Sequence, residues 1–190
     1  MCWACCSFWG AAGLTAYNLN EELSAGRASE AALEGVASSL ADAPFQARGE
    51  RLIKKSAITS EETVELDGRY YMGLITFPTL ELQLPVQMEW SYENLKTSPC
   101  RMQGSPAMED LVIMGHNYRT HFGPLDNLRI GDEVSVTMGD GATYVYQVGA
   151  KEVVGAYAVE DVTSGAWPLT LFTCTLSGRT RLVVRCDFAE

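Results

Sequence analysis

Basic residues are scarce in this chain of 190 residues. Lys and Arg number 14 against 24 Asp and Glu, which gives a formal net charge of −10 at pH 7. A protein that neutralises phosphates needs the opposite charge, so we expect no nucleic-acid partner. The length suits one domain with a modest appendage, and we therefore look for one site on one fold.

Evenly spaced cysteines are also lacking. Three of the six lie within the first six residues, and Cys100, Cys174 and Cys186 are far apart. This is not the pattern of a small disulfide scaffold, although Cys100 and Cys186 could pair on an oxidising surface. No second Cys or His pair follows at zinc-finger spacing to complete four zinc ligands. The acidic residues are scattered, so we predict no metal site and no cofactor.

Charged residues are absent from Met1 to Asn20, a run of apolar and aromatic side chains. The run has about the minimum length that can span a bilayer as a helix. No basic residue precedes it to indicate its orientation. We predict an uncleaved N-terminal anchor over residues 1–20, with a buried soluble helix as the alternative.

The next segment has helical composition. Residues 21–42 are rich in Ala, Glu, Leu and Ser and place Leu33, Val36, Ala37 and Leu40 at helical spacing. Residues 43–65 have no firm period and are typical of a linker. The predicted organisation is an anchor over 1–20, a helical stalk or docking helix with its linker over 21–66, and a β-rich domain over 67–190.

The β-rich domain contains eight short segments separated by turn residues. They are rich in Val, Thr, Tyr and Leu, and Asp140-Gly141 and Ser177-Gly178 are typical hairpin turns. We predict a mainly β fold, an eight-stranded β-barrel preceded by the N-terminal helix. The segments are YYMGLITF, LELQLPVQ, DLVIMG, EVSVTM, TYVYQV, KEVVGAYAV, LTLFTCTL and RLVVRCDF.

Cys174 lies at the end of a β-rich run, just before the Ser-Gly turn. A thiol at a strand end is held by a rigid scaffold and still reaches a cleft, which nucleophilic catalysis needs. The alternative is a buried cysteine that acts as a small hydrophobic side chain. We interpret Cys174 as the candidate nucleophile.

The chain has only two histidines, and imidazole is the group that exchanges a proton near neutral pH. His116 follows an apolar run and Gly115, a residue that permits a turn or a close backbone approach. His121 lies in a polar segment that we expect on a loop or helix surface. We therefore predict His116 as the acid/base, with a structural histidine that caps a turn as the alternative.

Arg181 follows Cys174 by seven residues across the turn, so the two can face each other on adjacent antiparallel strands. A guanidinium stays charged and donates a fork of hydrogen bonds to an oxyanion or a peptide carbonyl. Arg179 and Arg185 are alternatives. Arg185 shares a strand face with Arg181, so periodicity does not separate the two.

Four ordered segments resemble the sortases of Gram-positive bacteria over about residues 73–188. GHNYRTHFGPLDNLRIGDEVSV is similar to the sortase stretch in which Gly-His is followed by Phe, spaced leucines and Gly-Asp. TLFTC supplies each position of the family's Thr-Leu-x-Thr-Cys. GLITFPTLELQLPV and RLVVR flank these, and several blocks in the right order are more specific than any one.

The resemblance implies an eight-stranded barrel and a role for each of four residues. It implies that Cys174 is the nucleophile, His116 the acid/base and Arg181 the partner of the oxyanion or substrate carbonyl. The Arg-Leu-Val-Val context favours Arg181 over Arg185. Thr173 matches the threonine beside the nucleophile and is expected to help position substrate.

The resemblance also implies the reaction, a cysteine transpeptidation. An LPxTG-like sorting signal on a surface protein or pilin would be cleaved between Thr and Gly through a thioester acyl-enzyme. The product would be transferred to an amine of a lipid-linked cell-wall precursor or a pilin lysine. The expected location is the cell membrane, held by a single-pass anchor with the catalytic domain on the extracellular face.

Among the subclasses a class D-like enzyme is favoured. The segment from Gly155 to Pro168 is too short for a long extra helix, which disfavours class B, and no lid motif of the pilin-polymerising type precedes the barrel. Two other functions remain open: a cysteine hydrolase on the same constellation, and an inactive membrane-tethered barrel that binds peptides. The presence of Cys, His and Arg together disfavours the inactive barrel.

Overall fold

The computed structural model describes residues 4–42, 63–175 and 178–189. Over these residues it has one long helix, two short helices, three 3-10 turns and nine strands. The helices are α1 Ala4–Asp42, α2 Tyr92–Leu95 and α3 Val159–Thr163, and the 3-10 turns are Pro78–Leu80, Pro106–Met108 and Gly123–Asn127. The strands are β1 Val64–Leu66, β2 Arg69–Phe77, β3 Leu82–Gln87, β4 Cys100–Gln103, β5 Leu111–Gly115, β6 Glu133–Met138, β7 Thr143–Gly155, β8 Leu169–Cys174 and β9 Thr180–Phe188.

Eight of these strands close into a barrel in the order β2-β3-β4-β5-β8-β9-β7-β6, and β6 returns to pair with β2. Closure is possible because β2 has two partners on one edge: β1 pairs with its first residues and β6 with Gly73 to Thr76. The predicted mainly β fold with an eight-stranded barrel and a preceding helix is confirmed.

The membership of the barrel differs from the prediction. Two predicted segments, TYVYQV and KEVVGAYAV, form the single strand β7, whose pairing with β9 shifts register between Val148 and Ala150. Gly149 therefore marks a bulge and not a turn. An added Cβ at this position would lie 2.8 Å from the Trp167 ring. The missing place is taken by β4, whose short sequence CRMQ gives no strand signal.

The barrel interior is filled by apolar side chains that alternate along each strand. Strand β6 buries Val134, Val136 and Met138 and leaves the residues between them more exposed, which is the period of two expected for a half-buried strand. The fully buried part of this core also includes Met72, Ile75, Phe77, Val86, Leu111, Ile113, Phe122, Leu125, Tyr146, Leu169, Leu171 and Val184.

Helix α1 packs one face against the outside of the barrel. Ala32 and Val36 are buried against Val64, Tyr71 and Leu74, and the other three predicted periodic residues pack against the same cluster. The residues at helical spacing therefore form the face of α1 that lies against the barrel.

Helix α1 continues without a break past residue 20, where the predicted anchor would end. In the described part of the chain, no helix is both long and apolar enough to cross a membrane. Most of the predicted linker lies outside the described residues, and β1 begins at Val64, just before the predicted start of the domain. The division into anchor, stalk and domain stays a prediction.

Gly73 lies where β2 meets β6 and has the least room of any described glycine. Its φ is +143°, and a Cβ at this position would lie 1.8 Å from the carbonyl oxygen of Thr137. Backbone cannot yield as a flexible side chain does, so only glycine fits this closure point of the barrel.

We predict that Gly73→Ala lowers the free energy of unfolding by on the order of 3 kcal/mol, because the methyl group forces β2 and β6 apart. The matched control is Gly141→Ala, at φ +83° with no atom within 4 Å of the added Cβ, which should cost about 1 kcal/mol. Urea denaturation of both variants measures the difference. Equal losses would show that Gly73 matters only for its φ angle.

Candidate active site

Strands β5 and β8 bring the candidate acid/base and nucleophile together. They pair in parallel from Leu111 opposite Leu169 to Gly115 opposite Thr173. Neighbouring strands lie about 4.8 Å apart, and the next residue on each chain is His116 and Cys174. His116 and Cys174 therefore lie at the same end of the sheet, side by side.

Cys174 is the last residue of β8 and is partly exposed, after five buried residues. Cys100 and Cys186 are free thiols buried in the core, so the disulfide left open by the sequence is not formed. Burial raises the pKa of each of these two thiols to about 12, which keeps them protonated. Of Cys100, Cys174 and Cys186, only Cys174 is open to a substrate.

Arg181 pairs directly with Cys174 across the β8–β9 hairpin, as the spacing predicts. The hairpin is closed by the Thr175 amide on the Thr180 carbonyl, at 3.0 Å. Nη1 of Arg181 donates to the carbonyl oxygens of Gly178 and Thr180, both at 3.1 Å. The guanidinium is therefore held at the hairpin in which β8 ends at Cys174. Ser177 of the predicted turn lies outside the described residues.

Arg185 has a structural role that separates it from Arg181. It is 5% exposed, and its Nε lies 2.9 Å from Oε1 of Glu152. Its guanidinium also donates to the carbonyl oxygens of Asp161 and Val162 and to Oγ1 of Thr170. Because these bonds join β7, α3 and β8, Arg185 is not available to a substrate.

His116 is half-buried, and its ring lies 4.8 Å from that of Tyr118, tilted by 32°. Burial lowers the pKa of His116; the carboxylate of Glu21 opposes this shift and the ammonium of Lys96 adds to it. The imidazole therefore lies between two opposite charges contributed by α1 and by the segment after α2.

His121 does not lie on a surface, and that part of the prediction is wrong. It is fully buried, its ring lies 5.5 Å from that of Tyr118, and within the described chain neither ring nitrogen has a hydrogen-bond partner. Burial, and next the charge of His116, lower its pKa to about 4, against the opposing effect of backbone groups of Thr97 and Ala25. His121 is therefore neutral at pH 7 and enclosed, and His116 is the imidazole left for proton transfer.

Thr173 is 3% exposed, and its Oγ1 has no hydrogen-bond partner in the described part of the chain. Buried hydroxyls are normally bonded, so an unpaired one beside the candidate nucleophile is a group that a substrate could satisfy. Its predicted role in substrate positioning is compatible with this and stays a prediction.

Sequence reasoning missed that α1 reaches this site. Oε1 of Glu22 accepts a hydrogen bond of 2.8 Å from the amide of Arg119, in the loop between the two histidines. Gly26 lies against Thr120, where an added Cβ would be 3.0 Å from Cγ2. The helix thus braces the loop that carries His116. A buried glycine within a helical run was the one available signal, since it permits close packing.

Comparison with known proteins gives a coherent result. The family model described as "Sortase domain" matches residues 75–189. A search of the curated proteins finds no match.

Solved structures of sortases resemble this fold. Sortase C1 from Streptococcus agalactiae is 22% identical with a TM-score of 0.63, covering 84% of this chain and 98% of that one. A Clostridium perfringens sortase D5 transpeptidase is 20% identical with a TM-score of 0.56, covering 63% and 79%. Sortase C-1 from Actinomyces oris is 25% identical with a TM-score of 0.55, covering 62% and 73%.

We predict a pH-dependent loss of stability caused by His121. Between pH 6.5 and about pH 4 the unfolded chain binds a proton at this imidazole and the folded chain does not. The free energy of unfolding should therefore fall as the pH falls through this window, by on the order of 3 kcal/mol. In urea denaturation across this range, His121→Gln should flatten the dependence, whereas His116→Gln should largely keep it. An unchanged slope in His121→Gln would contradict the assignment.

We also predict that Arg185→Met destabilises the fold by about 2–3 kcal/mol, because it removes the buried bonds to the Val162 carbonyl and the Thr170 hydroxyl and the partly buried bond to the Asp161 carbonyl. Half-exposed Glu152 regains water and adds little. The exposed Arg179→Met, in the same hairpin, should stay within about 0.5 kcal/mol. Thermal and denaturant unfolding compare the two, and a stable Arg185→Met would contradict a structural role.

Proposed function

The chain belongs to the sortase family of cysteine transpeptidases, and we propose that Cys174 is its nucleophile, His116 its acid/base and Arg181 its oxyanion partner. The observation that carries the proposal is the register of β5, β8 and β9. Gly115 lies opposite Thr173 and Cys174 opposite Arg181, so the three functional groups share one end of the barrel.

In the first half of the reaction the Cys174 thiolate attacks the carbonyl carbon of the scissile peptide bond. The C–S bond forms as the C–N bond breaks, and the imidazolium of His116 gives its proton to the leaving amine. A thioester acyl-enzyme and a neutral imidazole result.

In the second half a primary amine attacks the thioester carbonyl. His116 takes a proton from the attacking nitrogen as the new C–N bond forms, and the thiolate of Cys174 leaves. The resting pair of thiolate and imidazolium is restored. Burial lowers the pKa of His116 and favours the neutral imidazole that takes this proton, while Glu21 and Lys96 act on the pKa with opposite sign.

Arg181 stabilises the oxyanion that develops in both halves. Its guanidinium stays charged, and its bonds to the hairpin carbonyls hold it near Cys174 without the committed ion pair that Arg185 makes. Thr173 contributes its unpaired hydroxyl to the peptide beside the scissile bond.

The finer assignments follow the family resemblance. The substrate is an LPxTG-like sorting signal on a surface protein or pilin, cleaved between Thr and Gly, and the acceptor is an amine of a cell-wall precursor or a pilin lysine. Sortases are generally membrane-associated cell-surface enzymes, and we infer that the catalytic domain works on the extracellular face of the cell membrane. The five-residue α3 between β7 and β8 is shorter than a class B helix, which supports a class D-like subclass.

The decisive experiment incubates the full chain with fluorogenic sorting-signal peptides, with and without an amine acceptor. We expect cleavage that accelerates with amine and yields a ligated product, and an acyl-enzyme visible by mass spectrometry. Cys174→Ala should abolish both. Cleavage indifferent to amine would indicate the hydrolase, and the absence of cleavage would favour the inactive peptide-binding barrel.

We predict that Arg181→Lys lowers kcat/KM for cleavage by about 10²–10³, because a point charge cannot reproduce the guanidinium fork at the oxyanion. Its free energy of unfolding should stay close to that of the parent. Arg179→Lys, in the same hairpin, is the matched control and should keep its activity. Equal activity in the two variants would remove Arg181 from the mechanism.

A further inference from the structure

A cavity of about 360 Å³ lies between α1 and the barrel. Its volume lies within the range of small-ligand sites. The lining is mixed, with polar and aromatic groups from α1 on one side and from the barrel on the other. The residues that matter to its chemistry are Tyr17, Asn20, Glu21, Ser24, Lys96 and Tyr118.

The cavity adjoins the acid/base. Tyr118 forms part of its wall, and the same ring lies 4.8 Å from that of His116. The charges of Glu21 and Lys96, both lining residues, act on the His116 imidazole. A ligand in this cavity would therefore be separated from His116 by little more than one aromatic ring.

The carboxylate of Glu21 already attracts an ammonium here. Its Oε1 accepts a hydrogen bond of 2.9 Å from the Tyr17 hydroxyl and lies 3.8 Å from Nζ of Lys96. The side chain of Lys96 is 62% exposed, and such loose pairs contribute little free energy. A second ammonium could displace Lys96 and gain a shorter, charge-assisted bond.

The second half-reaction needs a primary amine beside His116. An alkylamine is mostly protonated near neutral pH, so the acceptor arrives as a cation. A carboxylate and an aromatic face are the groups that bind such a cation, and the net charge of −10 attracts it to the protein. The cavity offers both groups, in Glu21 and Tyr118.

We propose that this cavity is the subsite for the acceptor amine, with Glu21 binding its ammonium group and Tyr118 forming the wall next to His116. The inference rests on the proposed function and deepens it. It assigns α1, which precedes the barrel in sequence, a direct part in acceptor binding.

An acceptor R–NH₃⁺ loses two protons during the transfer. One proton is lost to solvent as the ammonium leaves Glu21 and becomes the nucleophilic amine at the thioester. The second passes to His116 as the C–N bond forms and the C–S bond to Cys174 breaks, which restores the imidazolium and the thiolate. No other co-reactant is needed.

The ligand chemistry, a primary ammonium, has two sources: a lysine side chain of a protein and an amine of a cell-wall peptide. A lysine peptide blocked at its α-amine and a triglycine peptide with a free α-amine represent the two. Whichever acceptor shows the lower KM in the parent enzyme identifies the source.

The kinetic test compares acceptor KM values in the full chain. Glu21→Gln should raise the KM of an ammonium acceptor about tenfold, the effect of losing one charge-assisted bond. It should leave the KM of hydroxylamine, a neutral nucleophile, within about twofold. Lys96→Gln should lower the KM of the ammonium acceptor, because a competing ammonium is removed. Glu34→Gln, exposed on the same helix and outside the cavity, is the matched control.

A binding test that needs no turnover separates this proposal from the proposed function. Nα-acetyl-lysine amide is titrated into full-length Cys174→Ala and followed by NMR. Saturable binding that perturbs Tyr118 and weakens about tenfold when Glu21→Gln is added supports the subsite, even if no sorting peptide is cleaved. No binding, or equal binding with and without Glu21, overturns it, as does an equal rise in KM for both nucleophiles.

Discussion

The parallel pairing of β5 with β8 is the constraint on which the site depends. The register is fixed by burial, because Leu111 and Ile113 on β5 and Leu169 and Leu171 on β8 all fill the barrel core. A slip of one residue in β8 would turn Thr170 and Phe172 into the core in place of Leu169 and Leu171, and would leave a polar side chain there. The position of His116 beside Cys174 is therefore stabilised by the core and not by the catalytic groups themselves.

A second layer of support comes from α1, which contacts the barrel at two places. Farther along its length Ala32 and Val36 pack against β1 and β2, and nearer its start Glu22 and Gly26 contact the loop that follows β5. The loop thus has the barrel on one side and the helix on the other. The same arrangement affects the pKa of His116, because Glu21 of the helix and Lys96 of the segment after α2 act on it with opposite sign.

Much of the fold could be predicted, because alternation along the strands and periodicity in α1 are local signals. The errors arise where local signal and tertiary context disagree. Gly149 is typical of a turn, yet it lies in a bulge of β7 where Trp167 leaves no room for a Cβ. Strand β4 has only four residues, too few for its alternation to stand out in the sequence, and its place in the barrel comes from pairing with β3 and β5. Hydrogen bonds to strands on both sides make β4 a strand although its local β-propensity is weak.

For the site, the sequence by itself determined the candidates: Cys174 and Arg181 through their spacing across a turn, and His116 through its position after an apolar run. Only the tertiary structure decided between two residues of the same type, Arg181 or Arg185 and His116 or His121. Arg185 is committed to Glu152 and two carbonyls, and His121 is enclosed and neutral, because β7, α3 and α1 fold over them. The composition of a segment does not reveal what will cover it, since burial depends on residues far away in the chain.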